Sequence, residues 1–164
     1  MSDYTIKTLY TAKPAENMNN VTVNGWVRTM RESKTFAFVE LNDGTYFKNL
    51  QIILDEAALP EYRALVKAIT VGASLTVTGT LVMTPEMKQP FELRAESAEV
   101  LGESPVDYPL QKKRHTLEYM RTIAHLRPRA NLFQCAYRIR SIAAQAVHRF
   151  FHDRGFVYVN TPLI

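Results

Sequence analysis

Residues 21–28 read Val-Thr-Val-Asn-Gly-Trp-Val-Arg. The three valines and Gly25 occupy every second position, and polar residues and Trp26 fill the positions between them. A period of two is typical of a β-strand with one buried face. This stretch therefore predicts a strand, whereas residues 1–20, with Pro14 and three asparagines at 17, 19 and 20, predict a loop before it.

Four more stretches downstream alternate in the same way. They are Phe36–Leu41, Leu50–Leu54, Leu75–Met83 and Phe91–Ala95. Turn residues separate the first strands, a polar turn at Arg31–Lys34 and then Asn42-Asp43-Gly44. Two prolines mark residues 84–90 as a loop between the last pair.

Between the third and fourth strands the period changes to that of a helix. Apolar side chains from Leu59 to Ile69 recur at helical spacing, which predicts an amphipathic helix. Three strands, a helix and two strands is the order of an OB-fold, a five-stranded Greek-key barrel that binds oligonucleotides. Another small barrel of the same size is the alternative.

The chain after the barrel is punctuated differently. Gly102–Leu110 predicts a linker. Asn131 with Gln134 has the spacing of a capping box, followed by a long amphipathic helix for which Gly155 suits the C-terminal cap. A strand is predicted from Phe156 to Val159. The expected organisation is a barrel domain at 1–102, a hinge at 103–130, and the start of a further domain at 131–164.

Composition restricts the classes of function. The 164 residues include one cysteine, Cys135, which excludes an internal disulfide and favours a reducing, cytoplasmic setting. No apolar run approaches the ~20 residues of a membrane helix, and no membrane partner is expected. Residues 1–102 carry 10 Lys+Arg and 12 Asp+Glu, but residues 103–164 carry 10 and 4. That basic excess suits a polyanion such as RNA or is simply a solvated face.

Three motifs carry a resemblance to a known family. Residues 23–28 resemble the opening of the anticodon-binding barrel of aspartyl-, asparaginyl- and lysyl-tRNA synthetases. Residues 154–163 resemble motif 1 of class II synthetases, and Lys112–Glu118 with His125–Arg129 resembles the asparaginyl branch in particular. The expected fold is thus mainly β with α, an OB-fold five-stranded barrel followed by the first helix and strand of a class II α/β catalytic domain.

The resemblance implies a ligase. The full-length enzyme would use ATP and Mg²⁺ to activate L-asparagine and would transfer it to tRNA(Asn), as a homodimer. Motifs 2 and 3, which hold ATP in the family, are not within residues 1–164. The 164-residue chain is therefore expected to be truncated and inactive alone, with no catalytic residue, no bound cofactor and no metal site. The alternatives are an aspartyl enzyme of the same group and a stand-alone RNA-binding OB-fold.

Strand parity supplies candidates for base recognition. If Ala37, Val39 and Leu41 face the core, Phe38 faces outward. Gln51 and Glu92 share that parity, so three strands can present them on one surface. By resemblance they match the family's stacking aromatic and base-reading polar residues, and Arg31 matches a base-contacting arginine. Core packing of Phe38 and plain solvent exposure of Gln51 and Glu92 are the competing interpretations.

Two further positions complete the set of candidates. Arg28 lies on the outward parity of the first strand and rivals Arg31. At the other end of the chain, the resemblance to motif 1 places Phe156 and Pro162 in the dimer interface.

Overall fold

The computed structural model describes residues 2–162, and within them six strands form one sheet in the order β1-β2-β3-β4-β6-β5. β2 also pairs with β5, which closes the five long strands into a barrel. This is the predicted OB-fold, with β1 added in parallel to the edge of β2. The strands are β1 (Ser2–Asp3), β2 (Met18–Glu32), β3 (Phe36–Asn42), β4 (Leu50–Asp55), β5 (Ser74–Met83) and β6 (Phe91–Gly102).

Four α-helices and one 3₁₀ helix lie within the described residues. They are α1 (Ile6–Ala12), α2 (Tyr62–Ala68), α3 (Leu117–Thr122), the 3₁₀ helix (Ala124–Arg129) and α4 (Asn131–His152). α2 lies between the third and fourth barrel strands, as predicted, but is shorter than Leu59–Ile69. Leu59 and Ile69 are still buried beside it, so the apolar pattern extends beyond the helix itself.

The barrel core follows the predicted alternation. Ala37, Val39 and Leu41 of β3 are fully buried, as are the alternate residues of β4. The hydrophobic effect fixes this register, because a slip by one residue would turn every apolar side chain of a strand toward water. Phe38 and Gln51 therefore lie on the outer face, where parity placed them.

A β-bulge in β2 changes where that strand ends and which residues face outward. The register with β3 shifts between Val27 and Thr29, which leaves Arg28 as the extra residue. Beyond the bulge the strand runs to Glu32, so the turn predicted at Arg31–Lys34 was wrong in its first residues. Ser33 N–H donates to Phe36 O at 2.7 Å and closes a tighter turn.

α1 was not predicted, because residues 1–20 lack a long periodic pattern. Thr5 caps the helix in a capping box with Thr8, and Ile6 N–H donates to Asp43 Oδ2 at 2.7 Å. Ile6 and Leu9 are its buried anchors, 0% and 1% exposed. Two apolar residues are too few to predict a seven-residue helix, which the barrel stabilises by burying them.

The chain divides into two units, Met1–Tyr119 and Met120–Ile164. In the first, the residues after β6 stay with the barrel, since Thr70 Oγ1 donates to Ser104 O at 2.7 Å. The two units do not test the predicted domain boundaries, 1–102, 103–130 and 131–164, which stay a prediction.

In the second unit, α4 is the long helix that was predicted. Its start was misassigned, because Asn131 is the first helical residue and makes no side-chain cap, so the capping box is absent. Its end is as expected. Gly155 has φ +80°, and the amides of Gly155 and Phe156 donate to His152 O and Phe151 O in a Schellman motif.

The strand expected at Phe156–Val159 is not formed, and among the described residues this segment has no strand beside it. A single extended segment leaves its backbone groups to water and becomes a strand only when another pairs with it. Phe156 lies in this exposed segment, and Pro162, also exposed, follows it. Leu163, the last residue of the predicted motif, lies outside the described residues.

Candidate nucleic-acid interface

The outer face of the barrel carries a row of paired residues that includes two of the predicted ones, Arg31 and Phe38. Arg31 of β2 pairs with Phe38 of β3, Phe38 pairs with Ile53 of β4, and Ile53 pairs with Arg94 of β6. The Arg31 guanidinium carbon lies 5.1 Å from the centre of the Phe38 ring. An aromatic ring with a cation over it, on a half-buried outer face, is suited to stack a base.

A second row of outward-facing residues lies two residues further along these strands. Glu40 of β3 pairs with Gln51, and Glu92 of β6 pairs with Val82 of β5. Because Ile52 pairs with Leu93, Gln51 and Glu92 occupy adjacent positions on neighbouring strands. The structure thus brings Arg31, Phe38, Gln51 and Glu92 onto one surface built from β2, β3, β4 and β6, which we call the base-recognition face after the role proposed for it below.

Glu92 is not the solvated residue that the competing interpretation expected. Only 6% of it is exposed, even though it lies on the outer face and its neighbours Phe91 and Leu93 point into the core. Its Oε1 lies 3.7 Å from an Arg94 guanidinium nitrogen, which is a long distance for an ion pair. A carboxylate has about four acceptor positions. One distant cation does not fill these positions.

Arg28 is placed differently from Arg31. It occupies the bulge, half-buried, at the position where the β2–β3 register skips one residue. The parity that made it a rival of Arg31 is interrupted at that point. The structure therefore leaves Arg31 as the arginine in register with Phe38.

Sequence reasoning passed over Arg94 and Ile53, although both share the outward parity of their strands. They line a cleft of about 560 Å³ beside Phe38, together with Phe36, Thr80 and Glu96. The alternation was the signal that could have found them. A cleft beside the Phe38 ring gives room for a base that is turned out of the RNA stack.

The aromatic cluster around Tyr10 was also missed. Its ring lies 5.0 Å from that of Tyr46 and 4.7 Å from that of Phe91. Burial, with a smaller contribution from Tyr46, raises the pKa of the Tyr10 hydroxyl, so it stays protonated and donates to Asn49 O at 3.1 Å. This cluster connects α1 to the loop after β3.

Comparison with known proteins agrees with this geometry. Residues 21–101 match the family model described as an OB-fold nucleic acid binding domain of the tRNA anticodon type. The chain is 54% identical over 159 residues to the asparagine–tRNA ligase of Acetivibrio thermocellus, covering 97% of the chain and 34% of the relative. It thus spans about a third of the length of the curated relatives it matches.

Solved structures give the same result for the fold. The asparaginyl-tRNA synthetase of Entamoeba histolytica, in complex with asparaginyl-adenylate, aligns over 87% of this chain and 34% of its own, with TM-score 0.71 and 28% identity. The asparaginyl-tRNA synthetase of Pyrococcus horikoshii aligns over 88% of this chain and 35% of its own, with TM-score 0.78 at 18% identity, which supports the fold alone.

Residues 21–101 are accordingly an OB-fold nucleic-acid-binding domain of the anticodon-binding class. The chain that contains them belongs to the asparaginyl-tRNA synthetase family. Within the described residues, no helix is both long enough and apolar enough to cross a membrane.

Proposed function

We propose that this chain binds the anticodon loop of tRNA(Asn) through its base-recognition face, as part of an asparagine–tRNA ligase. The observation that carries the proposal is the convergence of Arg31, Phe38, Gln51 and Glu92 from four strands. Phe38 would stack a splayed base, and Arg31 would add positive charge near the backbone. Identity above 50% to asparagine–tRNA ligases supports the asparaginyl branch over the aspartyl one.

The two polar residues would supply specificity. The Gln51 amide both donates and accepts, and the Glu92 carboxylate only accepts. Such groups contact base edges, whereas phosphate contacts hold the RNA without reading its sequence. A buried carboxylate also disfavours misplaced phosphate, which would leave two negative charges together.

We expect Gln51→Ala or Glu92→Ala to lower discrimination between anticodons more than total affinity. A good base-edge contact is worth about 1–3 kcal/mol of discrimination. Competition between the cognate anticodon stem-loop and one-base variants measures it, with circular dichroism to check folding. Glu92→Gln is the matched variant, because it keeps the shape and adds a donor, so its preferred base should change. An equal loss against every variant would mean that these side chains only position the RNA.

The whole protein would be cytoplasmic and would couple L-asparagine, ATP and tRNA(Asn). ATP and Mg²⁺ would be held by motifs 2 and 3, which are not among residues 1–164. We expect asparagine-driven ATP–pyrophosphate exchange by the 164-residue chain to stay at background, while the same sample binds the stem-loop. Exchange well above background would contradict the placement of the catalytic groups.

The proposed homodimer rests on α4. One stripe of this helix is apolar and exposed, with Ile139 67%, Ile142 68%, Val147 57% and Phe150 50% accessible. Patches of several large apolar side chains usually mark an interface. Each such residue gains about 1.5–3 kcal/mol on burial. A two-fold contact between copies would bury the stripe against itself.

We therefore expect residues 1–164 to dimerise and a polypeptide ending at Tyr119 to be monomeric and still bind RNA. Light scattering after size exclusion gives both masses. Ile142→Glu should return the longer chain to monomer, whereas Gln145→Glu, on the opposite stripe, should not. A monomeric long chain whose α4 amides are fully protected from hydrogen exchange would contradict the proposal.

A further inference from the structure

The loop between β3 and β4, residues 43–49, is held in one conformation by its own side chains. Asn42 Oδ1 accepts from Gly44 N–H at 2.8 Å, and Asp43 Oδ1 accepts from Thr45 N–H at 2.9 Å and from its hydroxyl at 2.7 Å. Asn42 Nδ2 donates to Asn49 Oδ1 at 2.8 Å across the loop. A loop bonded in this way presents its remaining side chains with little entropy left to lose on binding.

Those remaining side chains are an aromatic ring and a cation. Phe47 is 46% exposed, and its ring centre lies 6.3 Å from that of Tyr46. The Nζ atom of Lys48 lies 5.4 Å from the centre of the Tyr10 ring. Tyr10 and Tyr46 are stacked, so a packed aromatic base supports both exposed groups.

The loop is continuous with the base-recognition face. Asn49 Nδ2 donates to Glu40 Oε2 at 3.1 Å, and Glu40 is the strand partner of Gln51. The acidic groups here are already engaged, Glu40 by Asn49, and Asp43 by Thr45 and Ile6. Among the described residues, Lys48, the exposed cation beside Phe47, forms no ion pair with either carboxylate.

We propose that Phe47 and Lys48 form an additional RNA contact, in which Phe47 stacks a nucleotide flanking the anticodon and Lys48 contacts its phosphate. The inference rests on the proposed function and extends it to a loop that OB-folds do not usually use, since their typical loops join the first to the second and the fourth to the fifth barrel strands. A π-face accepts any base, so this contact adds affinity without reading sequence.

A single exposed phenylalanine is ordinary on a protein surface. Three features distinguish Phe47. Its loop is fixed by side-chain hydrogen bonds, a lysine adjoins it, and Asn49 connects the loop to the strand pair that carries Gln51.

The test is a set of anticodon stem-loops in which each loop nucleotide outside the anticodon is replaced in turn by an abasic one. We expect wild-type affinity to fall about tenfold for one flanking abasic site, the size of one base stack. Phe47→Ala should bind the intact stem-loop about tenfold more weakly and should show no further loss with that abasic site. Phe47→Tyr should restore the affinity, and Lys48→Gln should lower the salt slope by about one.

Leu101→Ala is the control for removal of an exposed apolar side chain from the same unit, since Leu101 is 59% exposed, and it should bind as wild type. Phe47→Ala with wild-type affinity, or with an equal loss against every abasic stem-loop, overturns the inference. The proposed function fails separately, if the wild-type chain does not distinguish the cognate stem-loop from one with a scrambled anticodon.

Discussion

Replacement of Gly79 by alanine is expected to destabilise the barrel by roughly 3 kcal/mol, an overpacking penalty at the upper end of the usual range. A Cβ atom at Gly79 would overlap the carbonyl oxygen of Arg94 and lie 2.8 Å from its carbonyl carbon. Both are backbone atoms of β6, which is held between β4 and β5. Relief of the overlap therefore requires the two strands to separate.

The measurement is urea or thermal unfolding of the Met1–Tyr119 unit. Gly102→Ala is the matched control on the same pair of strands. There the nearest atom to the new methyl group is the hydroxyl of Ser74 at 2.9 Å, which can rotate away. We expect that control to stay within about 1 kcal/mol of wild type. An unfolding midpoint for Gly79→Ala equal to that of Gly102→Ala would show that β6 moves more easily than its pairing implies.

Gly79→Ala should also impair recognition, because Arg94 is displaced where it faces Glu92 and the cleft. At a temperature where the variant is still folded, we expect weaker stem-loop binding than stability alone explains. That result would connect the backbone contact to the base-recognition face.

Phe38→Ala is expected to weaken binding of the cognate anticodon stem-loop by roughly 1–3 kcal/mol, the value of one base–aromatic stack. This corresponds to a loss of about 5- to 150-fold in affinity. The ring lies on the outer face, under the Arg31 guanidinium, and lines the cleft. Ala37 and Val39, its neighbours on β3, point into the core in its place, so we expect the variant barrel to stay folded.

Fluorescence titration of a labelled stem-loop measures the effect. Phe38→Tyr keeps the ring and should bind nearly as wild type, whereas Phe38→Leu keeps the apolar volume but should lose the stack. Leu affinity equal to that of Tyr would assign Phe38 a packing role only. Unchanged affinity for a folded Phe38→Ala would remove it from the interface.

The face of each strand was predictable because the side-chain period is local. Ala37, Val39 and Leu41 alternate with Phe36, Phe38 and Glu40, and the hydrophobic effect requires one set inside. The glycines and prolines in the loops marked the ends of the strands correctly for the same reason, since their backbone preferences act within a few residues. The position of Gly155 after α4 was read from the same local signal.

Other features could not be read locally. α1 exists because the barrel buries Ile6 and Leu9 and because Asp43, distant in sequence, accepts from its first amide. The bulge that separates Arg28 from Arg31 depends on pairing between two strands. Residues 156–159 would form a strand only when paired with another strand, and the described residues place none beside them.

By itself, the sequence determined five strands, their inward faces, the helix between the third and fourth, and the outward parity of Phe38, Gln51 and Glu92. Tertiary structure decided barrel closure through β2–β5 and β4–β6, the alignment of Arg31 over Phe38, and the burial of Glu92 beside Arg94. The physical reason is the distance along the chain over which each interaction acts. Alternation expresses burial of one face along a strand, whereas closure and side-chain convergence depend on hydrogen bonds and packing between residues far apart in the chain.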